Sequence, residues 1–510
     1  MTYLDKLVRK AKSEKPTPDV VKRDDAPKKG ERVLLQEYGN VKIYRDFEDP
    51  MPTYEVPTPH YRGDEKVLLD ALMEIAVSVV TVDATALTVE EKKKQYYSKV
   101  IDIIDQTPEL NIPVNAKEFF ANAVVQEMVG YGLIDPLVKD DFLEEIMIIG
   151  PNKPVYVYHR KHEMLKTNIV FYDDKDIRDL VDRIARAIGR RIDTQVPLLD
   201  ARLGDGTRVN ATLPPISLEG ATLTLRKFKA DPLSVIDLVN HGTMSYELAA
   251  FLWLATDGAG AYPANILIAG GTASGKTTTL NVLASFIPNN ERIISIEDTA
   301  ELNLPLNHWI RMEVRPPSIE GTGEITMNDL VKNSLRMRPD RILVGEVRGA
   351  EGYTMFAAMN TGHRGVMGTV HANSAKETLV RLNSPPISVP TIMLDSLNLI
   401  LMQNRIQDRR KGLLRRVTEV AEIISSDGAN PEVRVIYSWD PAKDVIYSTD
   451  NNSVYVQTLM RFTGMTKDAV DKEIEERVKI LKELNAQQKR SIDEVTSVTQ
   501  GYVQKKRALL

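Results

Sequence analysis

The second half of this chain is punctuated by short apolar runs, NILIAG (265–270), RIISIE (292–297) and RILVGE (341–346), separated by stretches with helical spacing. A strand that is apolar almost throughout is buried on both faces. Such strands alternating with helices predict a largely parallel sheet covered on both sides. The first half has another rhythm. IMIIG and PVYVYHR predict strands, and DIRDLVDRIARAIGR predicts an amphipathic helix ending in arginines. Residues 200–228 predict strands joined by Gly/Asp and Pro turns, and 40–60 a short strand with extended chain. Helical patterns occupy Lys66–Val80 and Ala116–Gly132.

These rhythms divide the chain. Residues 31–228 form an expected α+β N-terminal domain, KADPL (229–233) a hinge, and 234–510 a second domain whose tail from Met465 is helical. The length of 510 residues agrees, since single cores stop growing near ~250–300 residues. Within residues 1–30, Tyr3, Leu4, Leu7, Val8 and Ala11 recur among basic residues, which predicts a short basic amphipathic helix, followed by a linker. A frayed tail and a docking helix for a partner or an anionic membrane both fit that helix.

Composition narrows the class. Hydrophobic residues are 43% and charged residues 27%, close to the soluble globular average, which excludes disordered, fibrous and polytopic membrane chains. Lys plus Arg is 66 and Asp plus Glu 71, so the net charge is −5 and no nucleic-acid partner is expected. The absence of cysteine excludes disulfides, thiolate zinc sites and cysteine nucleophiles. The N-terminus has no apolar run of the signal-peptide kind. The most apolar stretch, near Thr391–Met402, carries Asp395 and Asn398 and is too short to span a bilayer. A soluble protein that meets membranes through partners or surface contacts is the expectation.

Gly270, Gly271, Thr272, Ala273, Ser274, Gly275, Lys276 and Thr277 fit G-x-x-x-x-G-K-[ST] between an apolar strand and a helix pattern that opens at Thr278. Glycines let successive backbone N–H groups turn toward phosphate oxygens, and the helix offers the same anion its positive end. These nine residues are the nucleotide-binding candidates. Lys276 reaches the β- and γ-phosphates, and the Thr277 hydroxyl ligates Mg²⁺. Two further apolar strands end in acids, one in Glu346, the other in Glu297, Asp298 and, just beyond, Glu301. Crowded like charges at a strand end cost energy unless a cation or an arginine offsets them. Thr277, Glu297, Asp298 and Glu346 are therefore the Mg²⁺ candidates, partly through water. Glu346, Glu297 and Glu301 are the catalytic acids, with the identity of the base left open. His363 and His371 flank a glycine-rich segment. Spaced eight apart without cysteine they make a poor zinc site. Either is a satisfied structural histidine or a donor near phosphates, and His371 is the nucleotide-contact candidate.

Taken in order, GGTASGKTTTLN, SIEDTAELNLP, LRMRPDRILVGEVRGAEG and TGHRGVMGTVHANS resemble the Walker A, Asp box, Walker B and His box of the type II/IV secretion ATPase superfamily. IGPNKPVYVYHR and DGTRVNATLPPISLEGATLTLRKF resemble its archaeal branch, and ETLVRLNSPPISVP and NRIQDRRKGLLRRVTEVAEI look most like the archaellum motor ATPase. The lack of cysteine agrees, because bacterial type II members carry a tetracysteine zinc module. The resemblance implies a RecA-like P-loop motor domain with a parallel sheet behind an α+β N-terminal domain. It implies a ring hexamer with nucleotide between the domains of a subunit and next to its neighbour, and Mg²⁺-dependent ATP hydrolysis. It makes Arg208 and Arg226 arginine fingers or nucleotide clamps, and Arg348 a weaker candidate of that kind; locally, Arg208 and Arg226 read as strand-surface arginines. The implied partners are a polytopic membrane platform protein and other archaellum motor subunits, including a RecA-like partner. The implied place is the cytoplasm, at the inner face of the membrane. A type IV pilus assembly ATPase or a type II-like secretion ATPase is the alternative, and a nucleic-acid translocase a more distant one.

Overall fold

A computed structural model of the protein describes residues 32–507, except 47–48, 58–67, 70, 74, 77–88, 108–111, 229–231, 318–321, 409–410, 425–430 and 450–451. The N-terminal helix and linker, most of the expected hinge and much of the Lys66–Val80 helix lie outside the described residues. The chain forms two compact units, Met1–Lys227 and Phe228–Leu510.

The first unit is built on a nine-stranded sheet. Its strands are β1 (Arg32–Tyr38), β2 (Val41–Asp46), β3 (Thr53–Glu55), β4 (Leu143–Ile148), β5 (Pro154–His159), β6 (Glu163–Val170), β7 (Leu198–Arg202), β8 (Arg208–Thr212) and β9 (Thr222–Arg226). They lie in the order β1-β2-β3-β6-β5-β4-β9-β8-β7, antiparallel except where β3 meets β6. Burial alternates along β5 and β9, so each residue pair sends one side chain inward and one outward. Two helices, α1 (Val89–Gln106) and α2 (Lys117–Val129), pack on each other through Val100, Ile104, Phe120 and Val124. A third, α3 (Asp174–Ala187), starts at Asp173, whose side chain accepts from the Lys175 amide, and buries Ile177, Leu180, Val181 and Ile184 in the core of the sheet.

After a short helix at Val235–Asn240, the second unit runs through α4 (Tyr246–Asp257), β10 (Ile266–Ala269), α5 (Lys276–Ala284), β11 (Ile293–Glu297), β12 (Trp309–Glu313), α6 (Met327–Ser334), β13 (Arg341–Val347), α7 (Glu351–Asn360), β14 (Met367–Val370) and α8 (Ala375–Asn383). Then come β15 (Leu399–Asp408), β16 (Gly412–Ile424), β17 (Glu432–Asp440) and β18 (Val445–Ser448). Helices α9 (Val454–Thr463), α10 (Lys467–Ala486) and α11 (Ile492–Arg507) form the tail. The strand order is β12-β11-β13-β14-β10-β15-β16-β17-β18. From β12 to β15 all neighbours are parallel, and β10, β11 and β14 are buried at every position. Alternate residues serve opposite faces. Ile266 and Ile268 join a core with α4, α5, α10 and α11, while Leu267 and Ala269 join one with α6, α7 and α8. This is the RecA-like P-loop arrangement, preceded by an α+β unit.

Beyond β15 the sheet turns antiparallel through β16, β17 and β18. The parallel-sheet expectation does not extend to this arm. Its strands carry charges among apolar residues, as in LLRRVTEVAEI, so they show no continuous apolar run. Because the strands from β12 to β15 are parallel, the residues that follow β10, β11, β13 and β14 emerge at one edge, where ligands of open α/β sheets bind. No helix among the described residues is long and apolar enough to cross a membrane.

Candidate functional site

The phosphate loop leaves β10 at Gly270. A Cβ there would stand 2.1 Å from the Gln403 carbonyl oxygen and 2.8 Å from Ser274 Oγ, so only glycine fits. Ala273 and Gly275 adopt left-handed backbone, with φ of 58° and 96°. Helix α5 then begins at Lys276 with no side-chain cap and no acid in its first turn. Its first amides are thus left to a ligand, and the partial positive charge of the helix end is not offset by an acid in that turn.

Lys276 is only 8% exposed. Its Nζ donates to the carbonyls of Gly270 at 3.0 Å and Gly271 at 2.8 Å, and lies 3.4 Å from His371 Nε2. Burial pushes the ammonium below its ordinary range, with Glu346 opposing. An ammonium held by neutral oxygens inside a glycine cradle is a fit for phosphate anions.

From Lys276 a polar chain runs along the strand ends. His371, just after β14, places Nε2 3.3 Å from Glu346 Oε1. Burial first, and Lys276 next, lower the His371 pKa, so the ring is neutral at pH 7. Its Nε2 thus serves Lys276 as acceptor or Glu346 as donor, one at a time. Arg348 donates through Nη2 to Glu346 Oε2 at 2.6 Å and places Nη1 3.2 Å from Asp298 Oδ2. Burial alone would raise the Glu346 pKa. The Arg348 hydrogen bond and charge, with His371 and Lys276, outweigh it and lower the value.

Glu297 is the inner acid, 2% exposed at the end of β11. Its Oε1 accepts from the amides of Glu301 at 2.9 Å and Leu302 at 3.0 Å, and its Oε2 is buried without a partner among the described residues. Burial pushes this carboxyl up to about 7, against those two amides. The glycine before Glu346 now has a reason: a Cβ on Gly345 would stand 3.0 Å from Glu297 Cγ. Glu301 meets Glu297 through its backbone amide, and its side chain is exposed.

Among the described residues no group of three or more His, Asp or Glu is arranged to hold a metal ion alone. Mg²⁺ keeps several waters and relies on substrate phosphates with one or two protein ligands. Thr277, half-buried in the first turn of α5, and the acids Asp298 and Glu346 are of the required oxygen-donor type.

Other expectations separate. His363 lies in the turn before β14 and His371 after it, at opposite ends of the strand, and a buried His363 Nδ1 has no partner among the described residues. Arg208 and Arg226 belong to the first unit, where they are cross-strand neighbours on β8 and β9. Arg208 is engaged by Asp200, with Nε to Oδ1 at 3.1 Å and Nη2 to Oδ2 at 2.8 Å.

Two contacts on the loop escape sequence reasoning. Gln403 of β15 donates through Nε2 to the Ser274 carbonyl at 2.9 Å and accepts from Thr279 Oγ1 at 2.6 Å. Arg415 of β16 donates through Nε to the Ala273 carbonyl at 3.0 Å. Both lie far along the chain from the loop, inside the arm whose strands the apolar pattern does not reveal, so no local signal points to them.

Residues 127–492 match the family model "Type II/IV secretion system protein". An uncharacterized protein of Methanocaldococcus jannaschii is 56% identical over 239 residues, 46% of this chain, and the match spans 33% of that protein. A second uncharacterized protein of that organism is 35% identical over 413 residues, 79% of this chain and 73% of its own length. Among solved structures, the ATPase DotB of Legionella pneumophila aligns at 19% identity over 70% of this chain and 86% of that one, with a TM-score of 0.40. The phosphate loop, both acid-bearing strand ends and His371 all fall inside the matched span, and this chain belongs to the type II/IV secretion system protein family.

Proposed function

We propose that this chain is a Mg²⁺-dependent ATPase that powers assembly and rotation of an archaellum through a membrane platform protein, working as a ring of six. The observation that carries the ATPase reading is the Lys276 ammonium, buried in a glycine loop at the same sheet edge as Glu297, Glu346 and His371. ATP with Mg²⁺ supplies the transferable phosphoryl group and the cation that spreads its charge. Loop residues 270–275 and the first turn of α5 through Thr278 hold the phosphates. Lys276 moves from the Gly270 and Gly271 carbonyls to phosphate oxygen. Thr277, Asp298 and Glu346 fill the protein side of the Mg²⁺ shell, in part through water.

Glu297, with a carboxyl poised at about 7 and one unpartnered oxygen, takes the proton of the attacking water. Glu301 fixes Glu297 through its backbone amide. Arg208 and Arg226 are proposed as the arginine fingers, which for Arg208 requires exchange of Asp200 for phosphate. Residues 31–228, the 229–233 hinge and the motor domain 234–510 are the proposed moving parts. The chain spans about a third of one archaeal relative, so substrates and partners rest on motif resemblance.

The family match by itself is to secretion-system proteins, so pilus assembly or type II-like secretion is the second reading. Phosphate release from ATP by the purified chain, dependent on Mg²⁺, is the expected outcome, and its absence overturns the reading. Deletion of the gene, scored for filaments and swimming, separates the machines. Loss of archaella and motility supports the first, and intact swimming with lost pili or secretion supports the second.

A further inference from the structure

We propose that Gln403 is a positioning residue for the phosphate loop, through which the antiparallel arm of the sheet sets the loop's readiness for nucleotide. The inference rests on the loop being the nucleotide site.

Gln403 is 1% exposed, and a buried amide is costly unless its dipole is matched. Here both ends are matched to the loop and its helix. Oε1 accepts from Thr279 Oγ1 in α5, which orients the amide so that Nε2 faces the Ser274 carbonyl. Its own backbone joins in: the Gln403 carbonyl is the atom that a Cβ on Gly270 would meet. A Cβ on Gly275 would stand 2.8 Å from Gln403 Nε2. One residue thus packs on the start, the end and the following helix of the loop.

Two features of β15 aim it there. Met402 is level with Ala269 of β10, so the next residue lies beside Gly270. The pairing of β15 with β16 also slips between Met402 and Gln403, and such a bulge redirects the side chains around it. The consequence for ligand binding follows from peptide geometry. In a planar trans peptide the C=O and the next N–H point in opposite directions. Holding the Ser274 carbonyl toward Gln403 therefore aims the Gly275 amide the other way. Arg415 holds the preceding carbonyl, that of Ala273, from the same arm. The Ala273 and Ser274 carbonyls are thus held on the side of β15 and β16, which turns the Gly275 amide away from the arm, where an anion can meet it.

The test uses the full chain and a fluorescent ATP analogue with Mg²⁺. Gln403→Met has similar length and no polar atoms. It is expected to weaken analogue binding and raise KM for ATP by about tenfold or more, as loss of a buried hydrogen-bonding partner does. The kcat of the saturated enzyme changes much less, because the contact acts on binding. Gln403→Glu keeps the acceptor for Thr279 but sets a carboxylate oxygen against the Ser274 carbonyl, and is expected to bind more weakly still. A merely structural role would lower the melting temperature and leave the affinity of the folded protein unchanged. Binding within about twofold of wild type by both variants, measured where they are folded by circular dichroism, overturns the inference. Failure of the wild type to bind the analogue overturns the nucleotide reading of the loop itself.

Discussion

Two charged networks of the second unit, made largely of the same residue types, differ in that one is closed and the other open. In the closed one, Arg477 of α10 is 3% exposed. It donates through Nη2 to Asp257 at 2.9 Å and through Nη1 to Glu473 at 2.5 Å, and lies 5.1 and 5.0 Å from the Trp253 and Tyr502 rings. Tyr502 donates to Glu473 and Glu476, and Lys506 bridges the same two acids. Each charge has an opposite charge beside it. In the open one, the Lys276 ammonium rests on carbonyls and one Glu297 oxygen is buried with no partner among the described residues. His371 is shared between a cation and a carboxylate. A closed network holds helices together, whereas an open one keeps unmet charge at the place where a ligand completes it.

Breaking the closed network has the largest expected effect on stability. Arg477→Ala leaves Asp257 buried and unpaired and costs about 3–5 kcal/mol, a drop on the order of 10 °C in melting temperature read by calorimetry. The double change Arg477→Met with Asp257→Leu is expected to recover most of that loss. In the open network the damage falls on turnover instead. Lys276→Ala is expected to slow phosphate release by at least about 10²-fold while melting changes little, because the ammonium stabilises developing charge rather than the fold.

Glu297 ties the two kinds of effect together. Its folded-state carboxyl, up at about 7, keeps its proton where an unfolded carboxyl near 4.5 has lost it. Stability therefore falls as pH rises from about 4.5 to about 7, by about 3 kcal/mol in total. Glu297→Gln is expected to flatten that slope in pH-dependent urea unfolding and to abolish the rise of kcat through about pH 7. The smallest effect belongs to Arg348→Met. The half-exposed Arg348–Glu346 pair is expected to cost less than about 1 kcal/mol of stability. Since Arg348 lowers the Glu346 pKa, its loss is expected to let that carboxyl titrate at higher pH, read by NMR of the Glu346 side chain across a pH series.

Much of the core of the second unit was readable from local pattern. Ile266–Ala269 and Ile293–Glu297 are apolar runs because both faces of those strands are covered, and helical spacing between them announced the crossovers. The antiparallel arm was not, since a strand with mixed exposure such as β16 shows neither a continuous run nor clean alternation. Candidate residues divided in the same way. The loop is contiguous, so its chemistry is written in eight adjacent positions. Arg348, a weaker arginine-finger candidate by resemblance, bridges Glu346 and Asp298, a contact that depends on β13 lying beside β11.

Adjacent residues and their spacing are enough to specify the glycine loop with Lys276, the acid-tipped strands and the helical tail. These depend on backbone permissiveness and on a repeating apolar period, both local properties. Which distant side chains meet is set by strand order. Placing β10 between β14 and β15 brings His371 to one side of the loop and Gln403 to the other, and sends His363 to the far end of its strand. Helix packing likewise turned Arg477, one basic residue among many in a charged helix, into a buried ion partner. Such contacts join residues 95 to 220 positions apart, and their energy exists only once the sheet has closed around them.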